Sequence, residues 1–253
     1  MTLSYRHIDP GTASRLRLVM TDVDGTLTPG PGLSPGVPEA VRCLEETGIM
    51  VGLVSGRTIA GLEDLASNLG ITGPVIAENG GVARLKSPGE LVDLGYSRWP
   101  AVEALERLKR LSPGTIVERE DNKDRFVDIV FRSLEASPED LEIHLQDVEL
   151  LDSGYILHLM QKGISKGQTL KILLPRIGDG TLSDAEVMVI GDSPTDLSLF
   201  EMFPNSVLVL NPRLSSRQRE MMCDTAAYSS EQPFGEGFAE VALHIVNVRQ
   251  SQA

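Results

Sequence analysis

Leu16 to Met20 form an apolar run that stops abruptly at Thr21-Asp22-Val23-Asp24-Gly25-Thr26, two carboxylates one residue apart followed by glycine and threonine. Branched and apolar residues that end at a turn signal predict a buried strand. Asp22 and Asp24 then stand just beyond its carboxyl end, where open parallel α/β sheets bind their ligands. Two like charges so close together cost energy unless a cation or a proton-transfer task holds them there. The stretch therefore directs the chain toward a parallel sheet with a metal-assisted acid–base site at its strand ends.

The residues that follow repeat the theme. A loop rich in Pro and Gly, Pro29 to Gly36, leads to Ser34 and Pro35 as the start of a helix with Val37, Val41 and Leu44 on one face and Gly48 as its stop. Ile49 to Val54 reads as a second buried strand ending in Ser55-Gly56-Arg57-Thr58, and a helix through Leu62, Leu65 and Leu69 closes at Gly70. Pro74 to Ala77 is a short third strand ending in Glu78-Asn79-Gly80-Gly81. This alternation predicts a doubly wound, Rossmann-like parallel sheet with right-handed crossovers.

The rhythm changes between residues 84 and 160. Leu91 to Leu94 reads as a short strand, and Val102 to Leu111 as a helix. Thr115 to Val117 and Arg125 to Phe131 alternate like strands exposed on one face. Ser137-Pro138-Glu139 opens a helix through Leu141 and Leu145; Val148 to Leu151 and Tyr155 to Met160 are strands joined by a turn at Asp152-Ser153-Gly154. Helix-strand-strand twice over suits a small α+β unit inserted into a core made of residues 1–83 and 161–253. In that core Ser165 caps a helix beginning at Lys166, and Glu186 to Ile190 is an apolar strand ending in Gly191-Asp192-Ser193-Pro194-Thr195-Asp196. Val207 to Leu210 is another strand, and a helix ends the chain, through Gly235 to Val248.

Asp22 and Asp24, Ser55, Lys166, and Asp192 and Asp196 all fall at element ends, which a doubly wound sheet gathers into one crevice. Phosphoryl transfer is the chemistry these groups can share. Carboxylates bind a hard cation such as Mg2+, a hydroxyl and an ammonium suit phosphate oxygens, and a second carboxylic acid moves the proton. Read singly, each group also has a plain role: a turn aspartate, a helix cap, an exposed lysine, helix-start charges.

Composition narrows the classes further. A net charge of -13 over 253 residues excludes nucleic acid and anionic membrane as partners. No apolar run is long enough to span a bilayer, and Met1 to Arg15 lacks the apolar core of a signal peptide. Cys43 and Cys223, far apart, argue against a disulfide framework or a zinc site, so a reducing cytoplasm is expected, and the sequence leaves monomer or homodimer open. Arg119, Lys123, Arg125 and Arg132 read as a solvated basic face, with contact to a substrate carboxylate as the alternative; His158 reads as a sheet histidine with its hydrogen bonds met.

Asp22-Val23-Asp24-Gly25-Thr26-Leu27, Ser55-Gly56-Arg57, Lys166-Gly167 and Gly191-Asp192-Ser193-Pro194-Thr195-Asp196 resemble, in order, the four motifs of the haloacid dehalogenase superfamily. The insertion resembles the α/β cap of its sugar-phosphatase and phosphoglycolate-phosphatase branch. Glu78-Asn79-Gly80-Gly81 and Ser153-Gly154-Tyr155…His158-Leu159-Met160…Gly163…Lys166 are similar to the archaeal-type phosphoglycolate phosphatases. The resemblance implies Asp22 as nucleophile and metal ligand, and Asp24 as acid/base that lends its backbone carbonyl to the metal. It implies Ser55, Gly56, Arg57 and Lys166 as phosphate- and substrate-binding residues. Asp192 would be a metal ligand and Asp196 a ligand or a partner behind it, the metal being Mg2+. The implied activity is hydrolysis of a small phosphorylated metabolite through an aspartyl phosphate, with 2-phosphoglycolate first. A sugar phosphate or glycosyl-phosphoglycerate is the alternative ester, and a phosphomutase or a non-catalytic phosphate-binding module the alternative classes.

Overall fold

The structure is a computed structural model describing residues 2–30, 32–86, 88–154 and 156–251. Pro31 of the expected loop and Tyr155, where the sequence reading starts the last inserted strand, lie outside the described residues.

Strand β1 (Leu3–Ser4) and helix α1 (Pro10–Arg15) precede β2 (Leu18–Thr21). Then come α2 (Val37–Glu46), β3 (Met50–Val54), α3 (Ile59–Leu69), β4 (Val75–Ala77) and β5 (Val82–Arg84). The inserted stretch supplies α4 (Trp99–Leu111), β6 (Ile116–Glu118), β7 (Ile129–Ser133), α5 (Pro138–Glu142), β8 (Val148–Asp152) and β9 (Leu157–Gln161). The chain finishes with α6 (Lys166–Leu173), β10 (Val187–Gly191), α7 (Leu197–Met202), β11 (Asn205–Leu210), α8 (Ser216–Thr225), β12 (Tyr228–Pro233) and α9 (Phe234–Gln250).

Among the described residues, the larger sheet has eight strands in the order β1-β12-β11-β10-β2-β3-β4-β5, and every neighbouring pair is parallel except β4–β5. Alternation along its strands feeds two apolar layers. Val19, Met188 and Ile190 point to the layer under α1, α2, α3 and α9, while Leu18, Met20, Val187 and Val189 point to the layer under α6, α7 and α8. The smaller sheet is antiparallel, in the order β6-β7-β9-β8, and packs Phe131 and Leu159 against Leu105 and Leu108 of α4 and Leu141 of α5. The expected doubly wound sheet carrying an inserted α+β unit is what the chain builds.

Local departures have physical reasons. Helix α2 starts at Val37, not Ser34, because the Ser34 N–H turns back to the Leu27 carbonyl at 3.2 Å. Leu91 to Leu94 is not a strand; it makes a single bridge, Arg84 with Leu91. The strand expected from Arg125 begins only at Ile129, since the N–H groups of Phe126, Val127 and Asp128 go to the Glu78 carboxylate instead of a neighbouring strand. Strands β1, β5 and β12 and helices α1 and α8 carry no pattern that the sequence reading singled out. The expected stop at Gly70 is present as a left-handed cap with φ 68°.

Phe131 is fully buried in the smaller core. We expect Phe131→Ala to cost about 3–5 kcal/mol. Urea unfolding checks this, and a loss under about 1 kcal/mol would contradict the packing described.

Candidate active site

Five adjacent strands of the larger sheet each end in a residue that reaches the same crevice. In spatial order Asn211 follows β11, Asp192 follows β10, Asp22 follows β2, Ser55 follows β3, and Asn79 follows β4. They line, with residues of the inserted unit, a cavity of about 1100 Å3. The parallel topology does this work, because it puts every carboxyl end on one side. Gly25, at φ 96°, lets the loop after β2 pass directly over Asp192; a Cβ there would stand 2.7 Å from that residue's Cγ.

Lys166, at the first position of α6 and only 1% exposed, occupies the centre. Its ammonium donates to Asp22 Oδ1 at 2.6 Å, Asp196 Oδ1 at 2.7 Å and Thr195 Oγ1 at 3.3 Å. Asp196 Oδ2 accepts from the N–H groups of Asp192 and Ser193 at 3.0 and 3.1 Å, so its carboxylate is engaged on both oxygens. Asp192 accepts from Thr26 Oγ1 at 2.7 Å and from Asn211 Nδ2 at 2.6 Å. Asp22, Asp192 and Asp196 offer carboxylate oxygens within 4.8 Å of one another. Burial pushes the Asp22 carboxyl well above its usual range, against the pull of Lys166, and the charges of Asp196 and Asp192 add to the rise. Burial and the Asp196 charge push Asp192 up to about 7, against the hydrogen bonds from Thr26 and Asn211. Three carboxylates beside one ammonium leave a negative excess that burial makes costly unless protons or a cation offset it. Hard oxygen donors suit Mg2+.

Asp24 lies apart from this cluster. Its side chain is 52% exposed, and Arg57 grips both oxygens, Nε to Oδ2 at 2.8 Å and Nη2 to Oδ1 at 2.6 Å. Arg57, implied as a substrate-binding residue, is here paired with Asp24. Ser55 is buried and does not cap α3, whose cap is Thr58. Its N–H donates to the Ile76 carbonyl and its carbonyl accepts from the Asn79 N–H at 3.0 Å. Gly56 offers its carbonyl to Arg125 Nη1 at 3.0 Å.

The inserted unit is fastened to the core at this point. Glu78, fully buried at φ 51°, accepts from the N–H groups of Phe126 at 2.9 Å, Val127 at 2.7 Å and Asp128 at 3.0 Å. Arg125 is buried rather than solvated, which corrects the basic-face reading at that position; Arg119 is half exposed. Arg125 Nη1 also donates to Asp128 Oδ1 at 2.7 Å, and Asp128 Oδ2 lies 2.7 Å from His158 Nδ1. His158 thus has the partner expected of a sheet histidine, yet it lines the cavity as well. The sequence reading gave no site role to Thr26 and Asn79, though both stand in quoted motifs, and passed over Asp128. The signals that could have found the last two are an asparagine in the turn after β4 and an acid inside the apolar run Val127-Asp128-Ile129-Val130-Phe131.

The chain matches the family model described as haloacid dehalogenase-like hydrolase over residues 19–121 and 114–215. It is 33% identical to a phosphoglycolate phosphatase of Methanospirillum hungatei, covering 89% of this chain and 95% of that one. A phosphoglycolate phosphatase of Methanoculleus marisnigri is also 33% identical, with 89% and 94% covered. A solved structure from Thermoplasma acidophilum superposes with a TM-score of 0.76 at 26% identity, covering 91% of this chain and 98% of the other.

The raised carboxyls fix a pH dependence. The unfolded chain releases these protons by about pH 4, whereas the folded, metal-free protein keeps the Asp192 proton up to about pH 7 and holds the Asp22 carboxyl well above its usual range. Over that window the native state binds more protons, so raising pH lowers its stability. We expect the melting temperature in EDTA to fall between about pH 5 and 8, and Mg2+ to raise it more at pH 8 than at pH 5. A pH-independent gain with Mg2+ would contradict the assignment of these carboxylates.

Proposed function

The chain belongs to the haloacid dehalogenase-like hydrolase family and is a phosphoric monoester hydrolase, and on that premise we propose Mg2+ as its cofactor and 2-phosphoglycolate as its ester. The observation that carries the reading is the buried meeting of Asp22 and Asp192, at adjacent strand ends, with Lys166 at the start of α6, in a cavity that the inserted unit helps to line. The ester is taken from the relatives, whose names specify it.

In this reading Asp22 and Asp192 would hold the cation with their carboxylates, and Asp24 would add its backbone carbonyl. Asp196, engaged by Lys166 and two N–H groups, positions the ammonium beside the ligands. When bound, Mg2+ supplies charge stabilisation to the phosphoryl oxygens and favours the ionised form of Asp22. Ser55 and Lys166 donate to the transferring group, as hydroxyl and ammonium groups do to phosphate oxygens. Asp22 attacks phosphorus as the bond to the leaving oxygen breaks, and Asp24 gives that oxygen a proton. In the second half Asp24 takes a proton from water, the water oxygen bonds to phosphorus, and the bond to Asp22 breaks to release phosphate. Since Arg57 grips both Asp24 oxygens, proton transfer requires this pair to open as the substrate arrives. The inserted unit, over residues 84–160, limits bulk water during the first half.

We expect Asp22→Asn to abolish phosphate release from 2-phosphoglycolate and p-nitrophenyl phosphate, and Asp24→Asn to lower kcat by about 10²- to 10⁴-fold. Both variants should fold, and EDTA should silence the wild type until Mg2+ is restored. Hydrolysis by Asp22→Asn beyond the trace that deamidation explains would overturn the mechanism.

A further inference from the structure

Two groups at the seam between the inserted unit and the core are not used by the chemistry at Asp22. Asn79 is 3% exposed, and its Nδ2 is without a hydrogen-bond partner among the described residues. A buried amide of this kind is costly to leave unpaired. His158 is 4% exposed, with Nδ1 2.7 Å from Asp128 Oδ2. An ionised carboxylate only accepts, so Nδ1 carries the hydrogen, and Nε2 is the nitrogen left for another ligand.

The two side chains converge. Asn79 Nδ2 and the His158 ring carbon Cε1 each lie 3.0 Å from the point where a Cβ on residue 56 would stand. Glycine at that position keeps the space between them open, and both residues line the same cavity as Asp22 and Lys166. The acids nearby are already engaged: Asp128 by Arg125 and His158, and Glu78 by backbone N–H groups. What remains on offer is Asn79 Nδ2, the unpaired donor, and His158 Nε2, which donates once the ring carries a second proton; two such donors in a partly buried seam select an anion. The Asn79 N–H is bonded to the Ser55 carbonyl, which ties the amide to the neighbouring strand end. Ser55 and Asn79 follow neighbouring strands, which run about 4.8 Å apart, so an anion here lies within a few bonds of a phosphate held at Ser55.

We propose that Asn79 and His158 form the subsite for a carboxylate on the leaving group, Asn79 Nδ2 donating to one oxygen and His158 Nε2, with a proton taken up along with the anion, donating to the other. The proposal rests on the phosphatase reading and deepens it. The substrate class becomes phosphate esters of short hydroxy acids in which the carboxylate adjoins the esterified carbon. Asp128 and Arg125 are positioning residues, holding the imidazole from behind.

The test compares 2-phosphoglycolate with ethyl phosphate, which lacks the carboxylate, on wild type, Asn79→Asp, Asn79→Gly and His158→Asn with Mg2+ present. Asn79→Gly accommodates the positive φ of 54° while removing the amide, and His158→Asn keeps a donor toward Asp128 while removing Nε2. We expect wild type to prefer 2-phosphoglycolate. Each folded variant should lose about tenfold to a hundredfold in kcat/KM on that ester, and about threefold or less on ethyl phosphate. Equal losses on the two esters in variants of native melting temperature would overturn the subsite, as would a wild type indifferent to the carboxylate. A wild type that releases phosphate from neither ester would instead overturn the phosphatase reading itself.

Discussion

The ammonium of Lys166 is the interaction around which the structure is arranged. A buried cation of this kind survives only when anions surround it. Here those anions come from the turn after β2 and the turn before α7, segments remote in sequence that the sheet makes neighbours. The ion pairs therefore act as a cross-link among three strand-end loops. They also leave the cluster short of positive charge, because Asp192 joins Asp22 and Asp196 around a single ammonium. One arrangement thus fixes the loops and leaves a negative excess that protons or a cation must offset.

A second constraint joins the two units. Three successive backbone N–H groups of the inserted chain converge on Glu78, a residue held in a left-handed conformation that side chains rarely adopt. Burial and the neighbouring charge of Asp128 push the Glu78 carboxyl up, while those N–H bonds oppose the rise. The contact is made at the end of β4, beside the strand that presents Ser55. The element that shapes the cavity wall is thereby referenced to the same strand ends as the chemistry. Its position is set by direct hydrogen bonds.

Much of this was legible in the residues. The strands β2, β3, β4 and β10 announce themselves as apolar runs ending in polar turns, and they are central strands buried on both faces. That position explains why their pattern is strong. Strands β1 and β12 lie at the far side of the sheet, where polar residues such as Ser229 and Gln232 interrupt any run. Asp22, Ser55, Lys166 and Asp192 were found because each stands at a punctuation point between elements. Asp128 was not, Asn79 was given no role, and Arg125 was read first as solvated, because their environment is made by tertiary contact. A basic residue in an alternating stretch looks solvated until another segment covers it, as Gly56 covers Arg125. Asp128 sits in a run that spacing alone assigns to a strand, and nothing local reveals that Glu78 has taken up the backbone donors there.

The borders of the larger sheet carry a consequence of their own. It ends on one side in β1, two residues long, and on the other in β5, three residues long and running against its neighbour. A long, flat border strand presents a ladder of open backbone groups on which another chain can stack. Stubs of two and three residues offer almost no such template. Strands β12 and β4, which would otherwise form the borders, are covered. A sheet wide enough to gather five strand ends into one crevice is thus finished in a way that discourages sheet-to-sheet polymerisation.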